Sequence, residues 1–149
     1  IDQTVVSGHN DIVEKVCMLA KQSGARRAVK LAVSAPFHSS LMAPAANELK
    51  ERVINEKFLL PKITVIDNVG VEFLTNVDQI KTSLSKQAMA PVRWKETIDK
   101  FQENQIEIIC ECGPGKVLTG LTKRICPEIQ AYTLSNEEEI DAVVSILNK

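Results

Sequence analysis

The sequence predicts an α/β fold with a mainly parallel sheet, on three observations. Segments of helical period alternate with short strand-like runs along the whole chain. One run, Ile63 to Ile66, is almost continuously apolar, which suits a sheet covered on both faces. Strand–helix alternation of this kind builds crossover units and a parallel sheet.

The elements follow in order. Thr4 to Ser7 is a short β-branched strand. Asn10 is placed to cap a helix over residues 11–23, with Ile12, Val16, Leu19 and Ala20 on one face and Gly24 closing it. Ala28 to Val33 is a second strand, and Ser34-Ala-Pro-Phe-His38 is the loop after it. Ser39 or Ser40 caps the next helix, which carries Met42, Ala45, Ala46, Leu49 and Val53 at helical spacing, with Glu48 and Arg52 as an i,i+4 pair. Asn76 and Gln79 resemble a capping box for a helix with Val77, Ile80 and Leu84 inward. Pro91 stands where a first helical residue belongs, and Trp94, Ile98 and Phe101 mark the face of the helix it opens. Ile106 to Cys112 is a strand. Gly113-Pro-Gly115 turns it into a helix bearing Val117, Leu118, Leu121 and Ile125. Ala131 to Leu134 is the final strand. Ser135 with Glu138 then forms a capping box for a last helix that buries Ile140, Val143, Val144 and Leu147.

Composition narrows the function. The 149 residues suffice for one compact domain with a real core, at 44% hydrophobic and 25% charged. A formal net charge of -1 argues against nucleic acid as the main partner, since phosphate binding needs a basic face. No apolar run approaches the roughly 20 residues needed to span a bilayer. No secretory signal stands at the N-terminus, so a cytoplasmic location is expected. The chain opens mid-pattern without Met, as expected of a piece of something longer. The four cysteines, Cys17, Cys110, Cys112 and Cys126, lack partners at metal-ligand spacing and read as buried free thiols in a reducing compartment.

Histidine is the residue type most able to exchange a proton near neutral pH, and there are two. His9 reads as a capping or surface residue. His38 ends a loop stiffened by Pro36, just past a strand end, where α/β folds place reactive groups. A general base serves a nucleophile, yet no Gly-x-Ser-x-Gly elbow occurs; Gly8-His9-Asn10 has Asn where a serine would stand. On the residues alone, the plainer reading of His38 as a backbone-bonding side chain prevails. The Gly113-Pro-Gly115-Lys116 turn joins a strand to a helix N-terminus, an intrinsic anion site, but lacks the Walker spacing and reads mainly as a structural turn.

Five segments together resemble the malonyl-CoA:acyl carrier protein transacylase family. Glu111-Cys-Gly-Pro-Gly-Lys-Val-Leu-Thr-Gly-Leu-Thr-Lys-Arg124 is the densest match. Val33-Ser-Ala-Pro-Phe-His-Ser39 with Leu41-Met42 is similar to a VS-x-P-x-H-x-x-LM block. Val65-Ile-Asp-Asn-Val69 resembles a V-x-NNV strand, with Asp67 in place of the first Asn. Gln87 with Pro91-Val-Arg-Trp94 resembles a Q-L-x-x-P-V-x-W block, with Ala88 in place of Leu. Val5-Val-Ser-Gly-His9 resembles VV-x-x-GH. The matches keep the family's order over nearly the whole chain.

The resemblance implies a mechanism. A serine attacks the malonyl thioester, and a histidine, matched by His38, takes its proton. The main-chain carbonyl of a glutamine, matched by Gln87, orients that ring. The acyl-serine passes malonyl to the phosphopantetheine thiol of acyl carrier protein during fatty acid synthesis. Phe37, just before the base, is implied to border the acyl pocket and favour malonyl over methylmalonyl. The serine elbow and the arginine for the malonyl carboxylate are expected upstream of this chain, so the partners are malonyl-CoA, acyl carrier protein and the N-terminal half of the enzyme, and the chain alone is expected to be inactive. Neither cofactor nor metal is implied. The fold it implies is a hydrolase-like large domain interrupted by a ferredoxin-like small one. Residues 1–33 would end the small subdomain, and 34–149 would form the C-terminal part of the large acyltransferase domain. The competing readings are a non-catalytic module of the same fold and an acyltransferase domain of a polyketide synthase.

Overall fold

The computed structural model describes residues 3–148; residues 1, 2 and 149 of the expected domain ranges lie outside the described residues. These form two compact units, residues 3–93 and 94–148. The division expected after residue 33 is a different one, and residues 3–33 fall within the first unit.

The first unit is helical. Helix α1 (Asn10–Gln22) begins one residue before the predicted start, with His9 in the N-cap position and Gly24 at φ +94° beyond its end. A short 3₁₀ turn (Ser40–Met42) leads into α2 (Ala43–Asn55), and α3 (Val77–Lys86) packs against α2. Ala46 and Val53 of α2 are buried, and Lys81 of α3 donates to the Ile54 carbonyl at 2.7 Å. The cap of α3 forms, with the return bond one residue earlier than in a capping box. Asn76 accepts from the Gln79 N–H, and the Gln79 side-chain oxygen accepts from the N–H and hydroxyl of Thr75.

Three predicted strands do not form. Residues 4–7, 28–33 and 63–66 carry no ladder among the described residues; only an isolated antiparallel bridge joins Ile66 to Phe73. Val5, Val33 and Ile63 are 63%, 71% and 76% exposed. The physical reason is that a strand has no internal hydrogen bonds, so an apolar β-branched run becomes one only beside a neighbouring strand. The apolar face of α1 is likewise uncovered, with Ile12, Met18 and Leu19 exposed.

Asp67 organises the turn that follows the third of these runs. Its carboxylate, 9% exposed, accepts from the Ser83 hydroxyl at 2.6 Å, the Glu72 N–H at 3.1 Å and the Gly70 N–H at 3.2 Å. Burial pushes this carboxyl up, but the hydroxyl of Ser83 and the N–H groups of Glu72, Gly70 and Val71 outweigh it and hold it below its usual range. All these donors need an acceptor, which an ionised Asp supplies with both oxygens and an Asn with only one. Asp67→Asn is therefore expected to lower stability at pH 7 by about 1–3 kcal/mol. The lowered value also fixes the sign of the pH effect. The Asp67 contribution is complete above the ordinary Asp value near about 4 and fades as pH falls through its folded value. Melting curves at pH 7 and pH 3 should show a smaller acid loss for the variant than for the native chain.

The second unit contains the sheet. Helix α4 (Trp94–Glu103) precedes β1 (Ile108–Cys112), α5 (Val117–Ile125), β2 (Gln130–Leu134) and α6 (Glu137–Leu147). The two strands are parallel, paired from Ile108 with Gln130 to Cys112 with Leu134, as the β1–α5–β2 crossover requires. The core joins Ile98, Cys126 and Ile129, with Trp94, Phe101, Ile109 and Ile125 around them. Pro91 lies three residues before α4 rather than at its first position. The last capping box is shifted by one residue: Asn136 accepts from the Glu139 N–H, and the Glu139 carboxylate accepts from the Ser135 N–H.

Burial in this unit departs from apolar periodicity. In α5 the buried residues are Thr119 and Thr122, while Val117 is 70% exposed. Both threonines are satisfied internally. Thr119 donates to Glu111 at 2.8 Å, and Thr122 donates to the Leu118 carbonyl at 2.8 Å, so their burial leaves no polar group unpaired. In α6 only Val143 is buried, and Ile140, Val144 and Leu147 face outward. Of the thiols predicted to be buried, only Cys126 is; Cys112 is exposed at the end of β1. No helix among the described residues is long and apolar enough to cross a membrane.

Candidate active site

His38 ends the loop predicted after Val33. The Ser39 hydroxyl donates back to the Pro36 carbonyl at 2.7 Å and folds the loop on itself. His38 itself takes a left-handed conformation, φ 64°. A non-glycine residue persists there only when its surroundings hold it. Two bonds do so: its N–H donates to the Ala88 carbonyl at 2.8 Å, and ring Nδ1 lies 2.8 Å from the Ala90 carbonyl.

The second bond fixes the chemistry of the ring. A carbonyl only accepts, so Nδ1 carries the hydrogen and Nε2 keeps the lone pair in the neutral imidazole. The ring is exposed, and no hydrogen bond to Nε2 is found among the described residues. A fixed tautomer with a bare, outward nitrogen is what a general base toward a hydroxyl or thiol requires.

The Phe37 ring is half exposed and tilted 51° to the imidazole, with centroids 6.3 Å apart.

Gln87 is close in sequence to the carbonyls that hold His38 but is not one of them. Its carbonyl was expected on the ring; the carbonyl found there is Ala90's. The reason is local backbone geometry. The helical turn runs past the end of α3, with Gln87 donating to Ser83 and both Met89 and Ala90 donating to Lys86, so Gln87 still belongs to the turn. The chain leaves that turn only at Pro91. Sequence reading missed Ala88 and Ala90 because an alanine side chain signals nothing about its carbonyl. Two further matched segments of this unit also meet: the Arg93 N–H donates to the Asn68 carbonyl at 3.1 Å, and its guanidinium donates to the carbonyl of the neighbouring Gly70 at 3.2 Å.

The glycine turn of the second unit is a closed anion site. Gly113 and Gly115 have φ of +124° and +101°, which Gly adopts without penalty. The Glu111 carboxylate crosses the turn and accepts from the N–H of Leu118 at 3.2 Å and from the N–H and hydroxyl of Thr119, each at 2.8 Å. The Thr119 N–H, against the opposing effect of burial, holds this carboxyl below its usual value, with help from the Thr119 hydroxyl and the Leu118 and Val117 N–H groups. An internal anion thus occupies the helix N-terminus that a phosphate would use, so the turn is structural.

The other candidate chemistries find no support in geometry. Burial raises the thiols of Cys110 and Cys126, which keeps both protonated and poor as nucleophiles at neutral pH. No group of three His, Cys, Asp or Glu side chains placed to hold a metal occurs among the described residues.

No family model matches the chain. Whole-protein comparison gives clear relatives. The chain is 41% identical over 145 residues to the malonyl CoA-acyl carrier protein transacylase of Haemophilus influenzae, covering 97% of this chain and 46% of that protein. Among solved structures it is similar to the malonyl CoA-acyl carrier protein transacylase of Coxiella burnetii, with a TM-score of 0.91 at 37% identity over 95% of this chain and 45% of the other. It is also similar to a malonyl-transacylase solved in complex with a type II polyketide synthase acyl-carrier protein, with a TM-score of 0.88 and 36% identity over the same shares of the two chains. The chain spans a little under half the length of the curated relatives it matches.

Proposed function

The chain belongs to the malonyl CoA-acyl carrier protein transacylase family, and from that premise we propose that it is the C-terminal portion of an enzyme that moves a malonyl group from malonyl-CoA to the phosphopantetheine thiol of acyl carrier protein in fatty acid synthesis. The observation that carries this reading is the His38 ring, pinned through Nδ1 with Nε2 bare. A serine supplied by the rest of the enzyme gives its proton to Nε2 as its oxygen attacks the thioester carbonyl. The C–S bond breaks, and the CoA thiolate leaves with the proton that His38 returns. In the second half the phosphopantetheine thiol gives its proton to Nε2, attacks the acyl-serine ester and regenerates the serine hydroxyl. An arginine, also outside this chain, pairs with the malonyl carboxylate. The reaction is acyl exchange with no change of oxidation state, so it asks for no cofactor. On this reading residues 1–33 end a ferredoxin-like subdomain, and the enzyme works in the cytoplasm without membrane or nucleic-acid partners.

One observation favours a second carrier: the solved relative bound to a polyketide synthase acyl-carrier protein. The test is to incubate the complete enzyme with malonyl-CoA and either a fatty acid or a polyketide carrier protein, and to follow malonyl-carrier by mass. Faster transfer to the fatty acid carrier is expected, faster transfer to the other favours the polyketide reading, and transfer to neither overturns the proposal.

Phe37 sets the acyl preference in this scheme, because its ring stands beside the base. A methyl branch on the malonyl carbon meets that ring, whereas serine leaves room for it. Phe37→Ser in the complete enzyme should raise the methylmalonyl-to-malonyl ratio of kcat/KM by about tenfold, within the usual worth of one methyl-sized group in a pocket. An unchanged ratio removes Phe37 from the acyl pocket.

A further inference from the structure

We propose that Pro91 is a positioning residue for the base. By ending the α3 turn it frees the two carbonyls, of Ala88 and Ala90, to which His38 is bound.

The argument begins with the hydrogen bonds of the turn. One last turn follows α3: the Met89 and Ala90 N–H groups both donate to the Lys86 carbonyl, at 3.0 and 2.9 Å, and the turn closes at Ala90. One more residue of helix would place the residue 91 N–H on the Gln87 carbonyl. Proline has no N–H, and its ring clashes with the carbonyl four residues back, so the helix cannot continue. Proline also disfavours the α region at Ala90. The next N–H groups are then carried away from the turn, and that of Arg93 goes to the Asn68 carbonyl at 3.1 Å. A helix ended in this way leaves its last carbonyls without intrahelical partners. His38 satisfies two of them, Ala88 with its N–H and Ala90 with Nδ1–H, both at 2.8 Å.

The consequence is specific to the ring. Had the helix run on, the N–H groups of residues 92 and 94 would have claimed the Ala88 and Ala90 carbonyls. The His38 backbone would then lose the bond that holds it at φ 64°, and Nδ1–H would lose its acceptor. The imidazole would be free to rotate and to adopt the Nε2–H tautomer, in which the outward nitrogen is a donor and no base. The three residues 88–90 thus set both the place and the tautomer of His38, and Pro91 makes their carbonyls available.

The proposal rests on His38 acting as the base, so it is tested by a structural readout and a kinetic one. In the complete enzyme with 15N-labelled histidine, the His38 resonances of the neutral ring should show Nδ1 protonated and Nε2 bare. A native ring protonated on Nε2 overturns the proposal whatever the kinetics show. Pro91→Ala should populate the second tautomer and lower kcat by on the order of 10- to 100-fold, with the KM for malonyl-CoA little changed. A Pro91→Ala enzyme that keeps the native tautomer and kcat also overturns it. If Pro91→Ala does not fold, Pro91→Leu, which likewise restores an N–H in a good helix former, is to give the same tautomer change, and its absence counts equally against the role. A tautomer change with no effect on rate would instead contradict the catalytic reading of His38 and leave the positioning role of Pro91 standing.

Discussion

Replacing His38 by alanine in the complete enzyme is expected to lower kcat for malonyl transfer by on the order of 10²–10⁴, the usual worth of a positioned general base. The variant keeps its backbone N–H, so the bond to the Ala88 carbonyl survives while the ring and its bond to Ala90 are lost. Thermal stability should fall modestly, because the bond to Ala90 is lost and alanine tolerates φ 64° less well than histidine, so rates are compared at a temperature where both enzymes are folded. The two half-reactions should fail together, because the same Nε2 takes the proton from the serine and later from the carrier thiol. Formation of the malonyl-enzyme from malonyl-CoA alone, followed by mass, reads the first half without the carrier. A His38→Ala enzyme that acylates at the native rate would remove His38 from catalysis. Gln87→Ala should leave the rate near native, because the backbone it leaves intact is not what holds the ring.

The 149-residue chain assayed by itself should transfer no malonyl from CoA to carrier protein. It contains no Gly-x-Ser-x-Gly elbow, and a base without a nucleophile assists at most slow hydrolysis by water. The same experiment has a physical arm. Val33, Leu59 and Ile63 are 71%, 78% and 76% exposed, and the apolar residues of α1 are uncovered as well. Apolar surface and unpaired strand-like segments favour association. The isolated chain is expected to self-associate, and a separately expressed remainder of the enzyme should compete for those surfaces and restore transfer. Light scattering and the mass of the carrier check the two arms. Transfer by the chain alone would require a nucleophile other than the serine proposed above.

Much of the helical part of the fold was legible in the sequence, because a helix is largely a local object. The spacing of apolar residues, the Asn76 and Gln79 pair and the Gly113-Pro-Gly115 turn each act within a few residues of themselves, and the elements they announce are present. The strands were legible only where a partner exists in the chain. Ile108–Cys112 and Gln130–Leu134 find each other across α5, whereas the 28–33 run finds no partner strand among the described residues. Pattern also failed on burial in α5 and α6. There the inward threonines are satisfied by hydrogen bonds that period cannot reveal, and the outward valines and leucine meet no covering surface.

The candidate site divides in the same way. The sequence by itself determined that His38 ends a stiffened loop and that a Pro-Phe-His block stands in family order with Gln87 and Pro91. Residue type and neighbours along the chain suffice for that. Only the tertiary structure decided which carbonyl meets the ring, because backbone direction at Ala90 depends on where the helix ends rather than on the identity of its side chain. It likewise decided that Asp67 is a hydrogen-bonded anchor and that Glu111 closes the glycine turn to other anions. Those roles depend on groups brought together from 3 to 16 residues apart, which sequence order does not specify.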